Sequence, residues 1–312
     1  MIHEIELQNM ATNKAIKFGN QGSYILDVVD WDAPATSIDS YKIPFQIGET
    51  FAGISIGVRE PSIIGYIIAS DVQPMGKTWE QYYKEQEQEI EQKKLQLDKL
   101  ISVNQNIRIN ANGFYLDCRP TKPPKYSNSI VENNEVLCKF SLEFICLNPS
   151  LFYSDTKCIE LASVNSAFVF PFSMTQDKGV IFGSIEQKQV QLINNEGDVN
   201  CGLKVKIRAL GGAIRNPKIY NVTTGQFIQF EDVTLNDGDI LYVNTVLGEE
   251  NSYIHRVETG EDESIIGNTT TGSEYFQIIQ GSSFYAYSLE ESSPTVEATI
   301  EYKELFFNVR GQ

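Results

Sequence analysis

The residues best suited to catalysis are few and widely separated. The chain has 312 residues and two histidines, His3 and His255. Neither has a cysteine, a second histidine or a serine–acid pair at the spacing that a zinc site or a catalytic triad needs. Signatures of serine hydrolases, zinc proteases and nucleotide-binding loops do not occur in the sequence. We therefore expect no enzyme activity, no catalytic residue, no bound metal and no cofactor.

The cysteines give no sign of metal or redox chemistry either. They are five in number and lack any CxxC or CxxxC spacing. Cys118, Cys138 and Cys146 lie inside strand-like runs, where a free cysteine behaves as a small buried hydrophobe. This pattern predicts reduced thiols and a cytosolic place of synthesis.

Two oxygen-rich segments, 194–200 and 236–239, raise the question of calcium. Their spacing does not match an EF-hand loop, which needs oxygen ligands at alternate positions and a closing glutamate. Tight turns select the same asparagine, aspartate and glycine residues. Turn formation is therefore our interpretation of both segments.

One short motif resembles part of a sugar-binding site. Lectin sites combine an aromatic ring with amide and guanidinium groups that reach sugar hydroxyls. Arg215 and Asn216 could supply the polar groups, and Tyr220, Tyr242 or Tyr253 could supply the ring, since both tryptophans lie in the first half. We name Arg215, Asn216 and Tyr220 as the candidate sugar contact. Turn chemistry at Asn216-Pro217 is the alternative explanation.

Charge and composition exclude several classes of function. The formal net charge is −16, and most of the acidic excess lies in the second half. A surface that binds nucleic acid normally needs clustered basic residues, so we expect no sequence-specific contact with nucleic acid. The sequence contains no apolar run of membrane-spanning length and no basic N-terminal signal, which predicts synthesis without a secretion signal and no membrane insertion.

The elements that must position any site are mainly β-strands. In the first half, Phe51–Val58 and Ile63–Ala69 alternate like strands, and the short link 59–62 predicts that they form a hairpin. Asn112-Gly113 predicts a second hairpin, because this dipeptide fits a type I′ turn. Glycines within the strands are typical of small barrels.

One long helix is predicted between these two hairpins. Thr78 and Gln81 form a capping box, and the residues up to about Ser102 include no glycine or proline. The segment from Glu85 to Lys94 is almost wholly polar. We therefore expect the helix to lie on a surface or against a neighbouring subunit, and to touch the core only at its ends.

The second half reads as a β-sandwich without a helix. Leu203, Val205 and Ile207 alternate with cationic residues, which predicts a strand with one buried face. Seven further strands are expected, at 218–221, 226–230, 240–243, 252–257, 275–279, 283–288 and 296–302. We place the domain boundary near residue 158 and the junction at Phe170-Pro171-Phe172.

The order of these elements resembles that of the distal tail (Dit, siphophage tail component) family of phage proteins. The resemblance is carried by order and spacing over nearly the whole chain. It rests on the following segments: Asp30-Trp31, the segment 51–69, the helix followed by Tyr115–Cys118, the loop Pro123–Tyr126, Asn195–Asp198, Asn216–Ile219 and Leu241–Thr245.

The resemblance implies a fold and a role. It implies an N-terminal β-barrel-like belt domain with one long helix (1–158), which forms a homo-hexameric ring, and a C-terminal galectin-like β-sandwich (159–312). The ring would join the major tail tube protein to the tail-associated lysin or tip protein and to receptor-binding or baseplate proteins, and DNA would pass through it. An acidic or neutral channel would let polyanionic DNA slide. The expected location is the virion tail tip, after assembly in the host cytoplasm.

A different class of function remains open. The chain could instead be a carbohydrate-binding module of a phage or cell-surface adhesin. A ring of chains supports the first interpretation, and a monomer that binds glycans supports the second.

Overall fold

The computed structural model describes residues 4–70, 78–134, 136–153, 155–166, 183–187, 190–290 and 295–308. Contacts divide the chain into two compact units, Met1–Ser154 with Phe306–Gln312, and Asp155–Leu305. The ring-forming and galectin-like roles that we assign to 1–158 and 159–312 stay predictions. The predicted junction at 170–172 lies outside the described residues.

The first unit has eleven described strands and one helix before the chain enters the second unit. They are β1 (Glu4–Asn9), β2 (Ala15–Gly19), β3 (Tyr24–Asp30), β4 (Thr36–Tyr41), β5 (Thr50–Ile56), β6 (Ser62–Ile68), α1 (Trp79–Leu100), β7 (Ile107–Ala111), β8 (Phe114–Pro120), β9 (Lys125–Tyr126), β10 (Leu137–Ile145) and β11 (Leu151–Tyr153).

Seven of these strands close into a barrel. Their order is β8-β7-β1-β2-β3-β6-β10, and pairing of β8 with β10 completes the circle. Inward side chains such as Leu7, Phe18, Ile63, Leu116 and Phe140 form one hydrophobic cluster. The mainly β fold class, with a barrel-like first domain and one long helix, is therefore confirmed.

The hairpin predicted at Asn112-Gly113 is also confirmed. These two residues connect β7 to β8 with φ angles of 49° and 80°. Both angles are positive, as a type I′ turn requires.

The hairpin predicted between β5 and β6 is wrong. β5 pairs with β4 instead, while β6 pairs with β3 and β10 inside the barrel. The link between them runs extended, and Arg59 forms an isolated bridge with Cys146. The reversal that pairs β5 lies earlier, in the loop 42–49.

Helix α1 begins as predicted but packs differently. Thr78 and Gln81 form both hydrogen bonds of the capping box. The buried side chains are Gln86, Ile90, Lys93, Leu97 and Leu100, a stripe along the middle and the end. The expectation of core contact only at the ends is therefore wrong: Gln86 and Lys93 are long enough to bury their aliphatic stems, and the helix start is exposed.

The second unit contains the remaining strands. They are β12 (Lys157–Ser166), β13 (Gly183–Gln187), β14 (Val190–Asn195), β15 (Leu203–Leu210), β16 (Ile214–Arg215), β17 (Lys218–Asn221), β18 (Phe227–Gln229), β19 (Thr234–Leu235), β20 (Ile240–Asn244), β21 (Asn251–His255), β22 (Asp262–Ser264), β23 (Gly281–Ser288) and β24 (Thr295–Tyr302), with a 3-10 helix at Ile266–Asn268. A last strand, β25 (Leu305–Phe306), pairs with β11.

The strands of the second unit form two main sheets around one core. The larger sheet has the order β13-β12-β24-β15-β20-β21-β22, and the smaller has the order β14-β23-β17-β18. Inward residues of both sheets, including Val205, Ile207, Ile219 and Tyr285, belong to one hydrophobic cluster. The strand predicted at 275–279 is wrong: Ile278 forms only an isolated bridge with Cys201. The galectin-like character of this sandwich stays a prediction.

Candidate interaction surfaces

The most unusual surface of the first unit is the segment 36–56, which we call the arm. It consists of β4, β5 and the loop between them, and these two strands form a sheet of their own. Phe45 and Ile47 at its tip are 108% and 101% exposed. The large apolar side chains that the arm exposes are Ile38, Tyr41, Ile43, Phe45, Ile47, Phe51, Ile54 and Ile56.

The arm is shaped by its own hydrogen bonds. Six residue pairs join β4 to β5, with one bulge between Asp39 and Ser40. At the base, the amide of Gly57 donates to the carbonyl oxygen of Ala35 at 2.6 Å. In the loop, Gly48 has a φ of 87° and Phe45 has a φ of 70°. A positive φ is costly for a large side chain such as phenylalanine, so this conformation needs compensation.

An isolated two-stranded sheet is at best marginally stable in water. The arm also exposes eight large apolar side chains within 21 residues, and monomeric soluble proteins rarely leave large apolar surfaces uncovered. Both costs disappear if another surface covers the arm. Its physical character is therefore that of a protein interface.

The start of α1 forms a second exposed apolar cluster. Trp79 stacks on Tyr83 with ring centroids 6.2 Å apart, and Tyr82 lies edge-on to both rings. Trp79 is 65% exposed. Rigid aromatic side chains with one free face are common anchors in protein interfaces.

The residues of the predicted sugar contact lie on different elements. Arg215 ends β16, Asn216 follows it in a turn, and Tyr220 lies on β17. Asn216 has a φ of 45°, and its amide donates to Glu290 at 2.9 Å and accepts from the backbone of Val233 at 3.1 Å. Arg215 ends the short strand β16, and its carbonyl accepts from the amide of Glu290. These bonds support the turn interpretation of Asn216.

Tyr220 lies farther along, on the outward side of β17. The Nζ of Lys218, on the same side of β17, lies 6.0 Å from the Tyr220 ring centroid. Tyr242 and Tyr253, the other two candidate rings, stack on each other at 4.9 Å on the larger sheet. The sugar contact at Arg215, Asn216 and Tyr220 stays a prediction.

The histidines and carboxylates form no catalytic or metal-binding group where the chain is described. His3 lies outside the described residues. The Nδ1 atom of His255 is 2.8 Å from Asp262 on an exposed part of β21. No group of three or more histidine, cysteine, aspartate or glutamate residues is arranged to hold a metal ion within the described ranges. In the same ranges no helix has the length and hydropathy needed to span a membrane.

The buried thiols of Cys118 and Cys201 are poor nucleophiles. Burial raises the pKa of Cys118, whose thiol also contacts Cys146, and burial raises the pKa of Cys201 to about 12. Thiolates are the reactive form of cysteine, so these shifts oppose nucleophilic chemistry. The fully buried Arg59 lies beside the thiols of Cys118 and Cys146. Its Nη2 donates to the carbonyl of Phe307, while its Nε and Nη1 have no partner among the described residues.

Comparison with known proteins identifies the fold. No protein-family model matches the sequence, and no curated protein matches it either. Among solved structures, the Dit protein (gp 19.1) of phage SPP1, described as a paradigm of the hub adsorption apparatus in phages that infect Gram-positive bacteria, matches with a TM-score of 0.60. The match has 10% sequence identity and covers 97% of this chain and 99% of that chain.

A chain of the phage P2 baseplate in its calcium-activated conformation matches with a TM-score of 0.46 and 8% identity, over 97% of this chain and 98% of that chain. At 10% identity, the match to the SPP1 protein establishes a shared fold over nearly the full length of both chains.

Proposed function

We propose that this chain is a structural subunit of a phage tail tip and a member of the distal tail protein family. The shared fold with the SPP1 Dit protein supports this, because the match includes both units and nearly the whole of each chain. Fold similarity alone does not specify function. The surfaces of the chain must therefore supply the rest of the argument.

The observation that carries the proposal is the arm. A hub subunit acts through its contacts with copies of itself and with other tail proteins, so it needs large surfaces that are stable only when covered. The arm provides such a surface, since eight large apolar side chains stand exposed on a sheet of only two strands. At about 25 cal/mol per Å² of apolar area removed from water, covering the arm would stabilise an assembly strongly.

We propose that the arm joins neighbouring barrels head to tail. Contacts between two different surfaces of identical chains generate a closed ring when the rotation between copies closes. The arm is one of these surfaces, and the aromatic cluster at the start of α1 is the candidate for the other. The ring would contain six copies, with residues 1–158 as the ring domain and 159–312 as the galectin-like domain.

The proposed partners follow from this position. The ring would bind the major tail tube protein on one side and the tail-associated lysin or tip protein on the other, with receptor-binding or baseplate proteins attached. DNA would pass through without sequence-specific contact. The chain would act in the virion tail tip, after assembly in the host cytoplasm, and without enzymatic activity.

The mass of the native protein tests the ring. Native mass spectrometry of the full chain should give a six-chain mass or a multiple of it. The double substitution Phe51→Ser with Ile54→Ser should remove the six-fold species while the circular dichroism spectrum stays unchanged, because both side chains are exposed.

A matched variant controls for loss of surface hydrophobicity alone. Ile130→Ser with Val131→Ser removes two apolar side chains of even greater exposure from the same unit, outside the arm. This variant should keep the native mass. A protein that is monomeric at high concentration, or equal loss of the ring in both variants, would contradict the proposed role of the arm.

Sugar binding is the second candidate function, and the half-buried Tyr220 ring beside the side chain of Lys218 favours it. A glycan array probed with the full chain tests it. Tyr220→Ala should abolish any signal if the contact is real, and a monomeric protein with such a signal would favour the adhesin interpretation.

A further inference from the structure

The smaller sheet of the second unit has an apolar outer surface that the ring does not explain. Its outward side chains are Val190 and Leu192 from β14, Phe284 from β23, Tyr220 from β17 and Phe227 from β18, and we call this surface the small-sheet face. The strand register places Leu192 opposite Phe284, and Tyr220 opposite Phe227. Leu192 is 52% exposed and Phe284 is 47% exposed.

The described outward positions of the small-sheet face hold no acidic residue, although the chain has a net charge of −16 and Glu196, just beyond β14, accepts a hydrogen bond from the side chain of Asn194 at 3.3 Å. The other outward positions on its four strands are Asn194, Ser282, Ala286, Ser288, Lys218 and Gln229. Lys218 is the one charged residue among these described positions. Its Nζ lies 4.1 Å from the ring centroid of Phe227, so the cation is held against the aromatic surface.

Within the described residues, one edge strand of this face also lacks the usual protection. Natural sheets guard their edges with charged residues, short strands or covering loops. β22, at one edge of the larger sheet, is three residues long and carries Asp262 and Glu263. The outer edge of β18 is covered, since the amides of Thr270 and Glu274 donate to the carbonyls of Gln229 and Phe227 at 2.9 Å.

β14, at the opposite edge of the smaller sheet, has six residues and no charge. No described strand pairs with its outer edge from Val190 to Ile193. Only at its end does the carbonyl of Asn194 accept a bond, from the Tyr302 hydroxyl at 3.3 Å. An uncharged edge of this kind readily pairs with another strand.

We propose that the small-sheet face binds a second copy of this chain around a two-fold axis, with the β14 edges antiparallel and adjacent. In a two-fold contact each copy presents the same surface, so the adjacent β14 edges would bring the Leu192 side chains of the two copies to the same side of the joined sheet. This interface is separate from the arm and does not depend on the proposed ring.

Charge favours a second copy as the occupant. Copies of a strongly acidic chain repel each other wherever their carboxylates meet. A face without carboxylates avoids this cost, and like charges directly opposite each other on paired strands would destabilise the contact. The small-sheet face therefore has the composition that self-association requires, and its apolar side chains supply the driving force.

The test separates this contact from the ring by combining substitutions in the full chain. The arm variant (Phe51→Ser with Ile54→Ser) should sediment as a dimer, because only the small-sheet face remains to join copies. Adding Leu192→Glu should raise the dissociation constant of that dimer by at least about tenfold, as expected when two carboxylates are forced into an apolar contact. Adding Leu247→Glu, which alters an exposed leucine elsewhere in the second unit, should leave the dimer unchanged.

The outcomes are distinguishable. An arm variant that is already monomeric at high concentration overturns the two-fold contact, and the face would then serve a different protein. A dimer that tolerates Leu192→Glu together with Phe284→Glu also overturns it. If the unaltered chain is only a dimer and Leu192→Glu makes it monomeric, the ring proposal fails while this inference stands.

Discussion

Strands β5 and β6 have closely related sequences and opposite environments. They read TFAGISI and SIIGYII, and each has a glycine in its middle. β6 lies in the barrel between β3 and β10 and alternates between buried and half-buried side chains. Among the described strands β5 pairs only with β4, and it has no buried side chain. The same alternating pattern thus serves a core in one strand and, we propose, an interface in the other.

The difference arises from the neighbours and not from the strands themselves. β6 has a helix beside it, and the Nζ of Lys93 in α1 donates to the carbonyl of Ile68 at 2.8 Å. β5 is not part of the barrel sheet, because the loop 42–49 reverses the chain and β5 pairs with β4. Stability of the monomer should therefore depend on β6 and hardly at all on β5.

The largest expected contrast is between Ile63→Ala and Ile54→Ala. Ile63 in β6 is 0% exposed and Ile54 in β5 is 57% exposed. Truncating the buried isoleucine should lower the free energy of unfolding by about 2–5 kcal/mol, because it leaves a cavity. Truncating the exposed one should change it by less than about 0.5 kcal/mol.

Urea unfolding of the dissociated protein measures both values. The experiment should use a protein concentration at which assemblies have separated, so that lost subunit contacts do not count as lost stability. Equal losses at the two positions would show that β5 is part of the monomer core.

The two strand glycines give the next largest contrast. A Cβ on Gly65 would lie 2.4 Å from the carbonyl oxygen of Ile25 and 2.7 Å from Cζ of Phe140, whereas a Cβ on Gly53 would meet nothing within 4 Å. Gly65→Ala should cost about 1–3 kcal/mol, since the barrel wall must shift. Gly53→Ala should be neutral or slightly stabilising. Thermal unfolding of both variants checks this, and an unaffected Gly65→Ala would mean that the barrel is loosely packed.

The link between β5 and β6 supplies a third prediction. Arg59 is fully buried, and two of its three nitrogens have no partner among the described residues. Arg59→Met keeps most of the volume and removes a costly buried charge, so unfolding free energy should fall by less than about 1 kcal/mol or should rise. Arg59→Ala leaves a cavity and should be clearly destabilising in the same denaturation assay. A loss of equal size in both variants would show that the charge itself matters.

The smallest effect concerns the contact of α1 with the barrel. Burial alone would raise the pKa of Glu89, but hydrogen bonds from Lys93 and Ser70 outweigh it and lower that pKa below its usual value. A lowered folded-state pKa contributes stability above the unfolded pKa of about 4.3, and this contribution is lost as the pH falls through the folded pKa.

Glu89→Gln should therefore reduce stability at pH 7 by about 1 kcal/mol or less, and the difference from the unaltered chain should vanish in acid. Denaturation at both pH values measures it. Glu91→Gln is the control, because Glu91 is mostly exposed in its pair with Lys94. A difference for Glu89→Gln that persists in acid would assign the effect to packing.

Local signals predicted much of this fold from sequence. The capping box at Thr78 and the turn at Asn112-Gly113 depend on nearby residues, so their structures follow directly. The pairing of β5 did not follow, since its alternation fits β6 as well as β4, and only tertiary contacts decide between them. The prediction that α1 touches the core only at its ends was wrong for a similar reason. Glutamine and lysine look like surface residues in a sequence, yet Gln86 and Lys93 are buried.

The candidate surfaces were harder to predict than the fold. Exposure is a property of the whole structure, and the apolar residues of the arm look in sequence like those of a core strand. One signal was present, because Pro34, Pro44 and Gly48 mark a separate reversal before β5. The order of elements indicated a protein that acts through interfaces, but it could not show which strands would remain uncovered.

The path of the chain has a consequence for synthesis. The first unit contains Met1–Ser154 and also Phe306–Gln312, and Phe306 packs edge-on against Phe114 at 5.3 Å. The strand β25 therefore reaches β11 only after the intervening unit has been translated. Domains usually fold in order as they leave the ribosome, but here one strand of the first unit, β25, is made only after the second unit. A nascent chain could thus close its seven-stranded barrel early, but Phe114 would lack its aromatic partner until Phe306 had been made.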